Sequence, residues 1–157
     1  DKTGLIEYTN SVLNTTNAYI CNSRPRRFGK SYAANMLAAY YSKGADSEKM
    51  FSELEIGKNE DFKKHLNKYD VIHIDIQWFL ANCDDVDNVV KHIAEAVLDE
   101  LRVAYPGILP PEIFSLPDAL SRIKDKTGQK FIVIVDEWDV LIRDEAANKK
   151  AQEDYFL

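Results

Sequence analysis

Arg24-Pro25-Arg26-Arg27-Phe28-Gly29-Lys30-Ser31 lies between a short apolar run, Ala18-Tyr19-Ile20-Cys21, and an alanine-rich segment from Tyr32 to Tyr41. The run reads as a strand over residues 18–22 and the segment as a helix. The Gly-Lys-Ser between them is then the turn of a phosphate-binding loop. At such a turn the first N–H groups of the helix point outward without intrahelical partners, and the peptide dipoles favour an anion. Gly29 has no Cβ, so backbone and phosphate can approach closely. Lys30 is expected to set its ammonium on the β/γ-phosphates and Ser31 its hydroxyl on Mg²⁺. The full pattern, G-x-x-x-x-G-K-[S/T], asks for glycine where Arg24 stands. A bare Gly-Lys-Ser also describes a basic turn at the start of an ordinary helix.

A second stretch decides between these readings. Phe131-Ile132-Val133-Ile134-Val135 is a continuous, β-branched apolar run ending in Asp136-Glu137-Trp138-Asp139. Such a run is expected to form a strand buried on both faces. A carboxylate at the carboxyl end of a central parallel strand lies in the crevice where α/β sheets take their ligands. Asp136 is placed to hold the Mg²⁺ water shell, and Glu137, one residue on, to polarise an attacking water. Four apolar residues before two acids mean little alone. After Gly-Lys-Ser and intervening βα material they make nucleotide binding the best reading.

At 157 residues the chain is one domain's worth, large enough to bury a core. A net charge of −6 and a pI near 5.1 argue against a general nucleic-acid surface and leave room only for a local basic groove. Cys21 and Cys83 stand alone, without the C-x-x-C spacing that metal or redox chemistry uses. No apolar run reaches the ~20 residues of a membrane span and no signal peptide is visible, so a reduced, cytoplasmic setting is expected. The first residue, Asp1, points to a start inside a longer protein.

Along the chain, a helix is expected from Gly4 to about Asn14, followed by a loop, Asn14-Thr15-Thr16-Asn17. The helix after the phosphate loop carries Ala33, Leu37, Tyr40 and Tyr41 on one face, suited to a sheet, and should stop at Lys43-Gly44. Residues 46–68 read as two short helices anchored by Met50, Phe51, Leu54, Ile56, Phe62 and Leu66. Tyr69 to Ile76 is the next strand. His73 and Asp75 share a face there, with Asp75 either near the nucleotide or simply reaching water at a strand end. Asp84 and Asp85 precede an amphipathic helix marked by Val86, Val89, Val90, Ile93, Val97, Leu101 and Ala104, ended by Pro106-Gly107. Ser115 with Asp118 resembles a capping box opening a helix to about Lys126.

The chain as a whole resembles a family of AAA-type ATPase-like proteins of bacteria and archaea. Its hallmarks are an N-terminal Asp-Lys-Thr, a loop Ser-Arg-Pro-Arg-Arg-Phe-Gly-Lys-Ser, and Asp-Glu-Trp/Tyr-Asp after an apolar strand. All stand here, at Asp1-Lys2-Thr3, Ser23 to Ser31 and Asp136 to Asp139, so arginine at position 24 is the family's own variant. The resemblance implies an α/β P-loop NTPase of the AAA-type division, a three-layer α/β/α fold with a mainly parallel sheet. It implies that residues 1–157 are the N-terminal part of one such domain, truncated after the acidic-motif strand and its helix. The missing remainder would be further ATPase strands and a C-terminal restriction-endonuclease-like domain. ATP and Mg²⁺ are the implied cofactors. The nucleotide-binding set is Arg26, Arg27, Phe28, Gly29, Lys30, Ser31 and Tyr32; the metal set is Ser31 and Asp136; the catalytic pair is Glu137 and Lys30. Asp1 to Leu5 approach the adenine in that architecture.

Three functions compete on these residues. The first is an ATPase coupled to a partner domain. The second is a nucleotide-gated switch with little turnover, built from the same side chains. The third is nucleic-acid contact through Arg24, Arg26 and Arg27, set against their pairing with phosphates or offsetting Asp136, Glu137 and Asp139. Trp138 reads as stacking on a base or packing under the acidic loop. His65 and His92 read as surface histidines, and Asp144-Glu145 with Lys149-Lys150 as a solvated helix face.

Overall fold

The computed structural model of the chain describes residues 1–23, 28–83 and 88–143, which divide after Val71 into two compact units. The first unit is helical: α1 (Gly4–Val12), α2 (Lys30–Tyr41), α3 (Glu48–Ser52), a 3-10 helix (Glu55–Lys58) and α4 (Phe62–His65). Its centre is the C-terminal end of α2, where Tyr40 and Tyr41 are almost wholly buried. Tyr40 meets Tyr41 and Phe51 edge-on, at centroid distances of 5.0 and 5.4 Å, the arrangement that ring quadrupoles favour. Both phenols find partners. Tyr40 donates to the Phe62 carbonyl at 2.7 Å and accepts from the Asn10 amide, while Tyr41 donates to Asn10 Oδ1 at 2.7 Å and lies 2.6 Å from Thr9 Oγ1. Burial pushes both phenols above their ordinary value near 10.0, so they stay protonated as donors at neutral pH.

The end of α2 is satisfied by groups beyond the helix. Of its last four carbonyls, Ala38 accepts from Ser42 N and Tyr41 from Tyr69 N, while Ala39 accepts from Ser47 Oγ. Asn67 covers the middle pair: its amide nitrogen lies within hydrogen-bond distance of the Ala39, Tyr40 and Ser42 carbonyls, and its backbone N–H donates to Tyr40 at 2.7 Å. Its Oδ1 also accepts from the Ser47 backbone and hydroxyl. The residue holds φ at +53°, a conformation asparagine tolerates better than most. The expected stop at Gly44 is therefore corrected: Asn67, from a distant loop, satisfies carbonyls that would otherwise be orphaned. Asn67→Ala should destabilise the chain by about 2–3 kcal/mol, losing several half-buried hydrogen bonds and straining the backbone. Asn67→Gly should recover only the backbone part. Urea unfolding of the two variants separates these contributions.

Other expectations for this unit change. Residues 18–22 form no strand, and Tyr19 is 95% exposed. A strand exists only through its pairing, and in the described residues the one strand ladder is taken up elsewhere. Residues 46–68 carry three short helical pieces rather than two, and Met50 is exposed while Phe51, Ile56, Phe62 and Leu66 are buried. Tyr40 and Tyr41, on the helix face expected to meet a sheet, are bonded to Asn10 of α1 and Phe62 of α4 within this unit. His65 is not a simple surface histidine: its Nδ1 lies 2.6 Å from the Tyr69 hydroxyl, the rings stack, and burial lowers its pKa.

In the second unit two parallel strands pair, β1 (Asp70–Asp75, beginning at the unit boundary) and β2 (Phe131–Asp136). Between them run α5 (Ile76–Ala81), α6 (Val89–Ala104) and α7 (Leu116–Thr127), the long crossover a parallel pair requires. Val89, Ile93, Val97 and Leu101, one turn apart, give α6 a buried stripe that packs with Ile74, Ala119, Ile123 and Leu141. Ala104 falls outside the stripe and is exposed; Val86, Asp84 and Asp85 lie outside the described residues. Ser115 caps α7, accepting from Asp118 N at 3.5 Å, and Gly128 ends it at φ +73°. The expectation that β2 is buried on both faces does not hold. Val133 and Val135, on one face, are 51% and 40% exposed, because two strands and these helices cover chiefly the other side. Among the described residues no helix is long and apolar enough to cross a membrane.

Candidate nucleotide-binding site

Gly29 begins the site in the first unit. It holds φ at +74° and ψ at 42° as the N-cap of α2, and Ala33 N donates to its carbonyl at 3.1 Å. Gly29 has no side chain with which to cap the helix itself. Glycine is favoured here by its backbone conformation. A residue with a Cβ would be strained in this conformation, and that Cβ would sit 2.5 Å from Lys2 Nζ. Lys30, Ser31 and Tyr32 then form the first turn, the turn whose amides have no acceptor within the helix. Ser31 and Tyr32 are exposed and Lys30 half-buried; Phe28, just before, is 58% exposed. Arg24, Arg26 and Arg27 lie outside the described residues, and the nucleic-acid reading lies there with them.

The carboxylates stand in the second unit. Because β1 and β2 run parallel, their carboxyl ends, Asp75 and Asp136, come out at the same edge of the sheet. Asp75 is committed to the fold, capping α5 by accepting from Trp78 N at 3.1 Å. Asp136 is only 8% exposed, and its Oδ1 accepts from Glu137 N at 2.9 Å. Glu137 follows with φ at +52°, and its carbonyl accepts from Val140 N, opening the short helix α8 (Val140–Arg143). The chain thus turns sharply at the end of β2. Trp138 and Asp139 are half-buried in this turn, and Leu141 returns to the core.

These donors fit the expected cofactors in kind. The hydroxyl of Ser31 and the carboxylate of Asp136 are hard oxygen ligands of the sort Mg²⁺ takes. The left-handed backbone at Gly29, which carries no Cβ, fits a close-approaching phosphate. Among the described residues no group of three or more His, Cys, Asp or Glu side chains could hold a metal ion by itself. Neither Cys21 nor Cys83 is in a disulfide.

Sequence reasoning placed Lys2 within Asp1 to Leu5, toward the adenine, and did not connect it to the phosphate loop. Its Nζ donates to the Phe28 carbonyl at 2.9 Å and lies 5.9 Å from the centre of the Tyr32 ring. The only signal was its place inside the Asp-Lys-Thr hallmark, since no local periodicity links it to the loop.

A mixed α/β chain with a helix starting at Gly-Lys-Ser under a left-handed glycine, and an apolar strand ending in Asp-Glu, is compatible with a P-loop-like α/β protein. The chain belongs to the AAA-ATPase-like family, described as Predicted AAA-ATPase, whose model matches residues 1–156. No curated protein and no solved structure matches it.

Proposed function

We propose that the chain is the nucleotide-binding part of a Mg²⁺-dependent ATPase, the N-terminal portion of a P-loop domain coupled to a further domain of the same polypeptide. One observation carries this reading: α2 begins at Lys30 beneath a left-handed Gly29, in a member of the AAA-ATPase-like family. The first-turn amides and the positive end of the helix dipole hold phosphate oxygens. Phe28, Gly29 and Tyr32 complete the nucleotide-binding set, to which the resemblance adds Arg26 and Arg27. The Lys30 ammonium neutralises the β/γ-phosphates by charge-assisted hydrogen bonds. Ser31 and Asp136 would hold Mg²⁺, which supplies charge neutralisation on the phosphates when bound. Glu137 orients water for attack.

The test is calorimetric titration of the purified chain with ATP, with and without Mg²⁺, beside a phosphate-release assay. Saturable, Mg²⁺-strengthened binding is expected, with ATP consumed at steady state. Saturable binding without phosphate release would favour a nucleotide-gated switch on the same residues. No ATP-dependent heat at all would overturn the nucleotide reading.

A further inference from the structure

Asp1-Lys2-Thr3 has no part in the chemistry assigned above, yet all three of its side chains are engaged. The Asp1 carboxylate accepts from Thr3 N at 2.7 Å with one oxygen and from Glu55 N at 2.9 Å with the other. Thr3 is 1% exposed, and its hydroxyl oxygen accepts from Ile56 N at 3.1 Å. Glu55 and Ile56 open the 3-10 helix Glu55–Lys58, which has no side-chain cap from its own N-cap residue, Leu54. The tripeptide supplies that cap from far along the chain and is clamped by it on both sides of Lys2.

Lys2 itself is exposed. An exposed lysine ordinarily samples many rotamers, but this one starts from an immobilised backbone and ends on the phosphate loop. Its ammonium bonds the Phe28 carbonyl, faces the Tyr32 ring, and fills the space where a residue 29 Cβ would project. A carbonyl oxygen at the mouth of an anion site is repulsive unless a cation holds it. Lys2 provides that cation beside the positive end of α2.

We propose that Lys2 is a positioning residue of the phosphate loop. Braced by Asp1 and Thr3, it holds the Phe28 carbonyl and keeps Gly29 in the left-handed conformation from which α2 starts. Its effect on ATP rests on the nucleotide reading; its effect on the loop does not.

The experiment compares the wild-type chain with Lys2→Met, which keeps the side-chain length and removes the charge, and Lys2→Arg, which keeps a cationic donor. Hydrogen exchange without nucleotide should show the amides of residues 28–32 exchanging about tenfold faster in Lys2→Met, with Glu55 and Ile56 and the melting temperature unchanged. Mg²⁺-ATP affinity should fall about tenfold in the same variant, and Lys2→Arg should restore both readouts to within about threefold. Wild-type exchange in the loop of Lys2→Met, together with wild-type ATP affinity, would overturn the assignment while leaving nucleotide binding intact. A wild-type chain that binds no ATP would instead remove the nucleotide reading, and loop exchange alone would then decide the role of Lys2.

Discussion

Lys30→Ala should abolish detectable ATP binding while the chain stays folded. Lys30 is the first residue of α2 and is half-exposed, and alanine is the better helix former, so the helix should lose nothing in its own stability. What goes is a cation at the end of the helix that already carries the positive dipole. Charge-assisted hydrogen bonds of this kind are worth about 1.5–3 kcal/mol each, and losing more than one lowers affinity by about 100-fold or more. Lys30→Arg should rescue only in part. A planar guanidinium is bulkier than an ammonium and needs a different approach to the phosphate oxygens. Calorimetric titration with Mg²⁺-ATP, beside a thermal melt without nucleotide, reads both quantities. Wild-type affinity in Lys30→Ala would remove the phosphate-loop reading altogether.

The parts of this molecule that were legible in the sequence are those whose signal is local. The α6 stripe, the Ser115 cap with its Gly128 stop, and the apolar run ending at Asp136 each announce themselves within one or two turns of chain. Gly29 at the onset of α2 belongs with them, since a left-handed cap favours glycine. What the sequence concealed depends on partners far along the chain. Residues 18–22 have the apolar content of a strand but no ladder to join. The end of α2 is decided by Asn67, and the placement of Lys2 by the amides of Glu55 and Ile56, contacts that no spacing rule encodes. The covering of β2 is of the same kind: an apolar run says that a strand can be buried, while the elements around it decide which face is.

Glu137 brings the backbone and the chemistry together, and its variants should separate them. Among the described residues the non-glycine positions with positive φ are Asn14, Asn67 and Glu137. Asparagine is frequent in that region; glutamate is not, and holding it there costs about 1–2 kcal/mol. A glutamate kept at a strained turn, next to a nearly buried aspartate at a strand end, is the kind of residue retained for what its side chain does. Glu137→Gln preserves shape and backbone and removes only the basic carboxylate. It should bind Mg²⁺-ATP as the wild type does and lose turnover by about 100-fold to 10,000-fold, the range for removing a general base. Glu137→Gly should lose turnover equally, yet melt at the wild-type temperature or slightly above it, since relief of strain offsets the greater freedom of the unfolded chain. Equal or greater stability with lost activity is the pattern of a position tuned for catalysis. If Glu137→Gln hydrolyses ATP at the wild-type rate, the carboxylate has no catalytic part. If Glu137→Gly instead melts well below the wild type, the side chain is holding the turn, and the strained backbone is explained by packing rather than by chemistry.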